Sequence, residues 1–373
     1  MNSPRFARRT LLKLGAAGLA AVSVPRLAAA KASATPARFA PRPGAWRTFE
    51  LVTRIEISEP ELATRVWLPL PSLDTDWQQS LESGWRGNAA QARVTADARY
   101  GARMLAADFV PGTPLPVIEL TSRVRTRDRA TDWSSPGAPP ADPGVLEFWK
   151  QPTELIPTDG IVRETALEIT RGARGDRERV QRIYDWIVVN THREPTVRGC
   201  GTGDIKAMLE TGNLGGKCGD INALFVGLCR AVDVPARDVY GIRLAPSAFG
   251  YKQLGSDSER LTGAQHCRAE VHLRGHGWVA MDPADVGKVM RAESAEWIKD
   301  PDHPLVVPVR RGLFGGWEGN WLAYNTAHDI ALPGSSGERL GFLMYPQAEN
   351  PQGRYDPLDP DRFHYTISAR EIA

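Results

Sequence analysis

Cys218 follows Gly215, Gly216 and Lys217 directly and opens the run CGDINALFVGLCRAV, whose apolar residues recur with helical spacing. A cysteine in the first turn of a helix faces unpaired backbone N–H groups and the positive end of the helix dipole. There a thiol whose ordinary pKa is about 8.5 falls to roughly 3.5–7.5 and becomes a nucleophilic thiolate. The plainer alternative is a small buried hydrophobe. That is the fate expected of Cys229, which sits mid-helix among apolar neighbours. Gly215 and Gly216 read as positions that remove side-chain bulk so that a substrate backbone can come close.

Such a nucleophile needs a base, and the base needs a group that orients it. Of seven histidines, His266 begins the strand-like HCRAEVHL, and Asp282 ends GWVAMDP. The segment RGHG, Arg274 to Gly277, supplies the turn between them. A hairpin about that turn sets His266 within a few positions of Asp282 on the neighbouring strand. Opposed or diagonal residues on one face of such a pair touch. Alone, Asp282 would be a turn residue before Pro283, and His266 a hydrogen-bonded core histidine. Together they form a candidate imidazole–carboxylate pair.

The elements that must position these residues follow from periodicity. TFELVTRIEI, TRVWLPLP and VIELTSRVRT carry β-branched and aromatic residues near period two and predict antiparallel strands. Val180, Ile183, Tyr184, Ile187 and Val188 predict a helix with Asp176 as its N-cap. GDIKAMLETG predicts a short helix closed by Gly212. The cysteine helix comes third and cannot extend far past Pro235. The segments ARDVYGIRL, HCRAEVHL and GWVAMDP then return to strand. Helices followed by an antiparallel sheet indicate an α+β fold.

The first thirty residues have a basic start, a short weakly apolar core and an Ala-rich end. With Arg8-Arg9 ahead of Thr10, Leu11, Leu12 and Lys13 they resemble a twin-arginine export signal. Cleavage is expected after Ala30, with Ala32 and Ala34 as alternatives, and the periplasm is the expected destination. This segment holds five of the 46 basic residues and none of the 44 acidic ones, so the mature chain has a net charge of −3. That balance leaves no electrostatic footprint for nucleic acid. No apolar run is long enough for a membrane span.

GGKCGDINALFVGLCRAVDVPARDVYGIRL, followed by HCRAEVHLRGHGWVAMDPAD, resembles the transglutaminase-like superfamily in its exported bacterial form, a cysteine protease or amidase. The resemblance implies a papain-like core with a Cys218 nucleophile, a His266 general base and Asp282 as the orienting group. It also implies acyl transfer through a thioester. The oxyanion is expected to meet the Cys218 backbone N–H. Trp186 is a weak second candidate, because its helix also needs core residues.

The division expected is signal 1–30, linker 31–45, a β-sandwich-like domain 46–130, linker 131–165, the catalytic domain 166–295 and an extension 296–373. In that extension Trp317, Trp321, Tyr324, Asn325 and His328 are expected to pack rather than to wall a groove. The substrate class is amide bonds of peptides or proteins, with hydrolysis favoured over crosslinking. The alternatives are a crosslinking transglutaminase or a non-catalytic scaffold.

A zinc set would have to come from Cys218, His266, His272 and His276, which lack paired-ligand spacing. DPLDPD lacks the glycine of a calcium loop. No cofactor or metal is therefore expected. Cys200 and Cys267 could pair in an oxidising compartment, but free thiols are expected. Activity on a peptide amide should survive EDTA; activity lost to chelation and restored by one metal would overturn this.

Overall fold

The computed structural model describes residues 38–372, so the export-signal reading of 1–30 and residues 31–37 of the expected linker lie outside the described residues. The chain first runs through β1 (Arg47–Glu56), β2 (Thr64–Pro69), β3 (Gln78–Gly87), β4 (Gln91–Ala96), β5 (Arg103–Phe109), β6 (Val117–Thr126) and β7 (Arg129–Ala130). The middle contributes α1 (Pro143–Phe148), α2 (Gly160–Ile169), α3 (Asp176–Asn190), β8 (His192–Arg193), α4 (Ile205–Thr211), β9 (Gly215–Gly216) and α5 (Cys218–Ala231). Next come β10 (Ala236–Arg243), β11 (Gln265–Leu273), β12 (Gly277–Met281), α6 (Pro283–Ala292) and α7 (Val307–Gly312). The last stretch holds β13 (Gly316–Trp317), β14 (Trp321–Asn325), β15 (Gln347–Asn350), β16 (Gly353–Arg354) and β17 (His364–Ile372).

This is the α+β arrangement expected, with helices packed on an antiparallel sheet. Helix α5 is buried along its whole length, which requires neighbours on every side. It packs on β11 and β10 and is flanked by α2, α3 and α6. The sheet beneath it has the antiparallel order β12-β11-β10-β14. Helix α3 buries the five apolar residues its period marks, but Gly175 is its N-cap and Asp176 its first helical residue. An acid one place inside the helix still meets the positive end of the dipole. Gly212 ends α4 in the left-handed conformation, as its sequence indicates.

The β region is a sandwich. A sheet ordered β17-β1-β6-β3 faces one ordered β16-β15-β2-β5-β4. Phe49, Leu51 and Ile55 from β1 meet Val66, Leu68, Leu105 and Phe109 across one buried cluster. The segment 296–373 contributes to both bodies. Its β14 edges the sheet beneath α5, β15 pairs with β2, and β17 pairs with β1 along nine residues. Strands β3 and β4 are not marked by the sequence, because most of their side chains are exposed and polar, leaving no alternation to read. The connection 131–165 contains α1, capped by Asp142 with Pro143 behind it, and the start of α2.

Ile367 of β17 is 2% exposed in the sandwich core. Truncating it to alanine should cost about 2–5 kcal/mol. A urea midpoint unchanged from wild type would show that β17 is not part of the cooperative unit.

Candidate active site

Cys218 is the first helical residue of α5, and Lys217 is the N-cap in an extended conformation. The Asp220 carboxylate fixes that turn by accepting from the backbone N–H groups of Lys217, Thr202 and Gly203, each at 2.9 Å. The Gly219 N–H donates to the Cys200 carbonyl at 2.7 Å, and those of Asp220 and Ile221 are taken by the Lys217 carbonyl. The Cys218 N–H has no acceptor among the described residues, so it is the first-turn donor left over. Gly215 and Gly216 serve the chain rather than an approaching substrate. A Cβ at Gly215 would sit 2.6 Å from the His192 ring, and one at Gly216 2.6 Å from Asp220 Cβ.

The hairpin meets as its turn implies. Its register pairs Ala269 with Met281, so Asp282 is level with Arg268 and lies diagonal to His266 on the same face. His266 Nε2 is 2.7 Å from Asp282 Oδ2. Asp282 is also the N-cap of α6, accepting from the Asp285 N–H at 3.1 Å with Pro283 next in line. Its two readings, turn residue and histidine partner, are both correct. Asn222, one turn after Cys218, donates to Asp282 Oδ1 at 3.1 Å and to the Cys267 carbonyl at 2.9 Å.

A second carboxylate stands behind the first. Asp285 Oδ2 is 3.3 Å from His266 Nε2, and Arg243 grips both Asp285 oxygens at 2.6 and 2.7 Å. Arg268 lies 3.6 Å from Asp282 and is covered by the rings of Trp321 and Trp317, at 4.6 and 5.2 Å. Trp321 Nε1 donates to the His266 carbonyl at 2.9 Å. The indole fits there because Gly241 faces it: a Cβ on Gly241 would meet the Trp321 ring at 2.5 Å. Trp317, Trp321, Tyr324, Asn325 and His328 are all buried, so this cluster packs and positions rather than forming a groove wall.

Burial and the Arg243 charge push His266 down, but Asp285 and Asp282 outweigh them and raise it to about 9. The thiol of Cys218 is held well below its ordinary range. Contacts from Cys200 and Cys267 do most of this; burial opposes them, and His266 adds to them. Cys200 is pushed well above the ordinary thiol range by its bond to Cys218 and by burial, so it keeps its proton. Cys267, beside His266 on β11, is likewise pushed well above the ordinary thiol range, by burial and then by the neighbouring Cys218. All four cysteines are free thiols.

Among the described residues the only His, Cys, Asp or Glu cluster able to converge on a metal is His266, Asp282 and Asp285. Its donor atoms are already engaged, since Asp285 holds a guanidinium on both oxygens and Asp282 and His266 hold each other. The group is a charge network in form. The four residues of the zinc alternative are not brought together: His272 packs edge-on against Trp278, and His276 against Trp133. A cavity of about 160 Å³ opens beside Cys218, His266, Gln265 and Tyr345. A larger hollow of about 480 Å³ at Trp77, Arg129 and Trp278 contains no thiol.

Asp285, Arg243, Asn222 and Trp321 are the partners that sequence reasoning missed. Helical spacing could have found two of them: Asn222 is four residues from Cys218, and Asp285 three from Asp282. Nothing local marks Arg243 or Trp321, which arrive from other strands.

A cysteine at a helix start, beside an imidazole held by a carboxylate on an antiparallel sheet, is the arrangement expected of a papain-like core. Residues 163–283 match the core domain of the transglutaminase-like superfamily, and the chain belongs to that superfamily. An uncharacterized protein of Haemophilus influenzae is 34% identical over 333 residues, which is 83% of this chain and 86% of that protein. A presumed cysteine protease from Cytophaga hutchinsonii is 15% identical, with TM-score 0.49, covering 88% of this chain and 99% of that one. The periplasmic domain of TgpA from Pseudomonas aeruginosa is 16% identical, with TM-score 0.36, covering 69% of this chain and 91% of that one.

Cys218 shifted down and His266 shifted up to about 9 together favour a thiolate–imidazolium pair over the range between them. Alkylation of Cys218 should therefore rise from acid pH, level off and change again near pH 9. Asp285→Asn removes one of the charges that raise His266, so the upper limb should move down by about 1 on the pH scale or more. A limb that stays in place in the variant would show that Asp285 does not act on the imidazole.

Proposed function

We propose that the protein is an exported, cysteine-dependent acyl-transfer enzyme that hydrolyses amide bonds of peptides or proteins with Cys218, His266 and Asp282. The observation that carries this reading is the buried Cys218 thiol against an imidazole whose Nε2 is 2.7 Å from Asp282. With Nε2 committed to the carboxylate, Nδ1 is the nitrogen that serves the reaction. The Cys218 thiolate attacks the amide carbon, forming an S–C bond and moving the carbonyl pair onto oxygen. That oxyanion meets the free Cys218 N–H. The side-chain amide of Gln265, buried at the cavity without a partner, is the candidate second donor. As the C–N bond breaks, His266 gives its Nδ1 proton to the leaving amine, and the acyl group stays on sulfur as a thioester. Water then attacks the thioester while His266 takes a proton, so carboxylate leaves and the thiolate–imidazolium pair returns.

Water is favoured over an amine because the cations Arg193, Lys217 and Lys288 line the same cavity. They repel an incoming ammonium. Export rests on the twin-arginine-like FARRTLLKLG and leads to the periplasm.

The test is a screen of peptide and glutamine-amide substrates against wild type and variants. Cys218→Ala and His266→Ala should each abolish turnover, and the double variant should be no worse than either. Asp282→Asn should keep a residue of activity, since it orients rather than reacts. Iodoacetamide near pH 6 should label Cys218 ahead of Cys200, Cys229 and Cys267. Near-full activity in His266→Ala, or a dominant product with added amine in place of free carboxylate, would overturn the hydrolase assignment.

A further inference from the structure

The cavity beside Cys218 is lined by cations and by no acid. Arg193, Lys217, Arg243 and Lys288 border it, with no Asp or Glu among its lining residues. Of these, Arg243 is spent on Asp285. The other three come from separate elements: Arg193 from β8, Lys217 from the N-cap of α5 and Lys288 from α6. None forms an ion pair with a described residue. The acids nearest the site are committed elsewhere, Asp282 to His266 and Asp220 to three backbone N–H groups.

Lys288 is largely buried, and burial, then Arg243 and Arg193, against the pull of Asp285, bring its pKa down to about 8. The imidazolium and the thiolate already balance one another, and Asp282 and Asp285 are matched by Arg268 and Arg243. Three positive charges are left without an ion-pair partner of their own among the described residues, with Asp285 shared between Arg243 and Lys288. Like charges gathered in a partly dry cleft are costly unless an anion enters among them.

We infer that this cleft selects an acidic substrate, in which a carboxylate next to the scissile amide docks on Lys288 and Arg193. The inference deepens the hydrolase reading above and rests on it for the reacting bond. The cavity of about 160 Å³ has room for a small group rather than a large side chain. In a peptide, the anionic group that lies beside an amide is a carboxylate, either a free α-carboxylate or an acidic side chain. An ion pair formed there is shielded from water and worth more than one at the surface.

Iodoacetate and iodoacetamide test this without knowledge of the substrate. In both, the thiolate displaces iodide from the same CH₂ carbon, and only the charge of the reagent differs. For wild type, the ratio of the iodoacetate rate to the iodoacetamide rate at Cys218, relative to glutathione, should be about tenfold or more. Lys288→Met with Arg193→Gln should bring it to within about twofold of glutathione, once these charges no longer gather the anion. A Lys288 that merely stabilised the thiolate would slow both reagents together and leave the ratio in place. That result, or a wild-type ratio no higher than that of glutathione, overturns the proposal.

A second measurement needs no thiol. The melting temperature of the Cys218→Ala protein is followed with N-acetylalanine, with N-acetylglutamate α-amide and with neutral N-acetylalanine amide, each at tens of millimolar. One of the acids should raise it more than the neutral amide, and Lys288→Met should remove the difference. The acid that does so identifies the source of the carboxylate, and no difference for either acid overturns the proposal. Absence of labelling at Cys218 by both reagents would sink the nucleophile assignment alone, and the melting data would still decide the charge preference.

Discussion

A buried chain of charges sets the terms for the rest of this molecule. His266, Asp282, Asp285, Arg243 and Arg268 are each no more than 3% exposed. An ion taken out of water costs several kcal/mol unless its partners are close and well oriented. The start of α6, the ends of β10 and β11 and the first turns of α5 must therefore converge on one point. Asn222 ties the nucleophile helix to Asp282, and the α6 cap ties Asp282 to Asp285. Removing any one member leaves another buried and unpaired, so the network favours a single geometry.

That geometry explains the distribution of the C-terminal residues. Strand β14 brings Trp321 over Arg268 and the His266 carbonyl, a position open only because Gly241 has no side chain. Farther on, β17 covers what would be the open edge of β1, and β15 does the same for β2. An uncovered strand edge invites pairing with other chains. The residues that buttress the imidazole and those that close the sandwich thus lie in the same final stretch of chain.

Around the thiol, charge is arranged in two layers. Beneath it, Asp285 and Asp282 raise the pKa of the imidazole against the opposing charge of Arg243. Facing the cavity stand Arg193, Lys217 and Lys288, with no acid among its lining residues. The neighbouring thiols of Cys200 and Cys267 keep their protons and steady the thiolate of Cys218. The inner layer sets the charge environment of the imidazole and the thiol, and the outer one gives the cavity its positive lining.

The sequence by itself determined the fold class, several of the elements and the placing of Cys218 at a helix start with His266 near Asp282. Local rules suffice for these: helical period for α3 and α5, alternation for β1, β2 and β6, and a turn whose position fixes the diagonal of His266 and Asp282. It misjudged Gly215 and Gly216, since the neighbours that forbid a Cβ there, His192 and Asp220, meet them only in the folded chain. It passed over β3 and β4 because exposed strands carry no apolar pattern. Only the tertiary structure decided that Arg243 and Trp321 stand at the site, that Cys200 and Cys267 both reach Cys218, and that β17 completes the first sheet. Those contacts join residues distant in the chain. They are set by packing and by the need to pair buried charges, and neither leaves a mark at fixed spacing in the sequence.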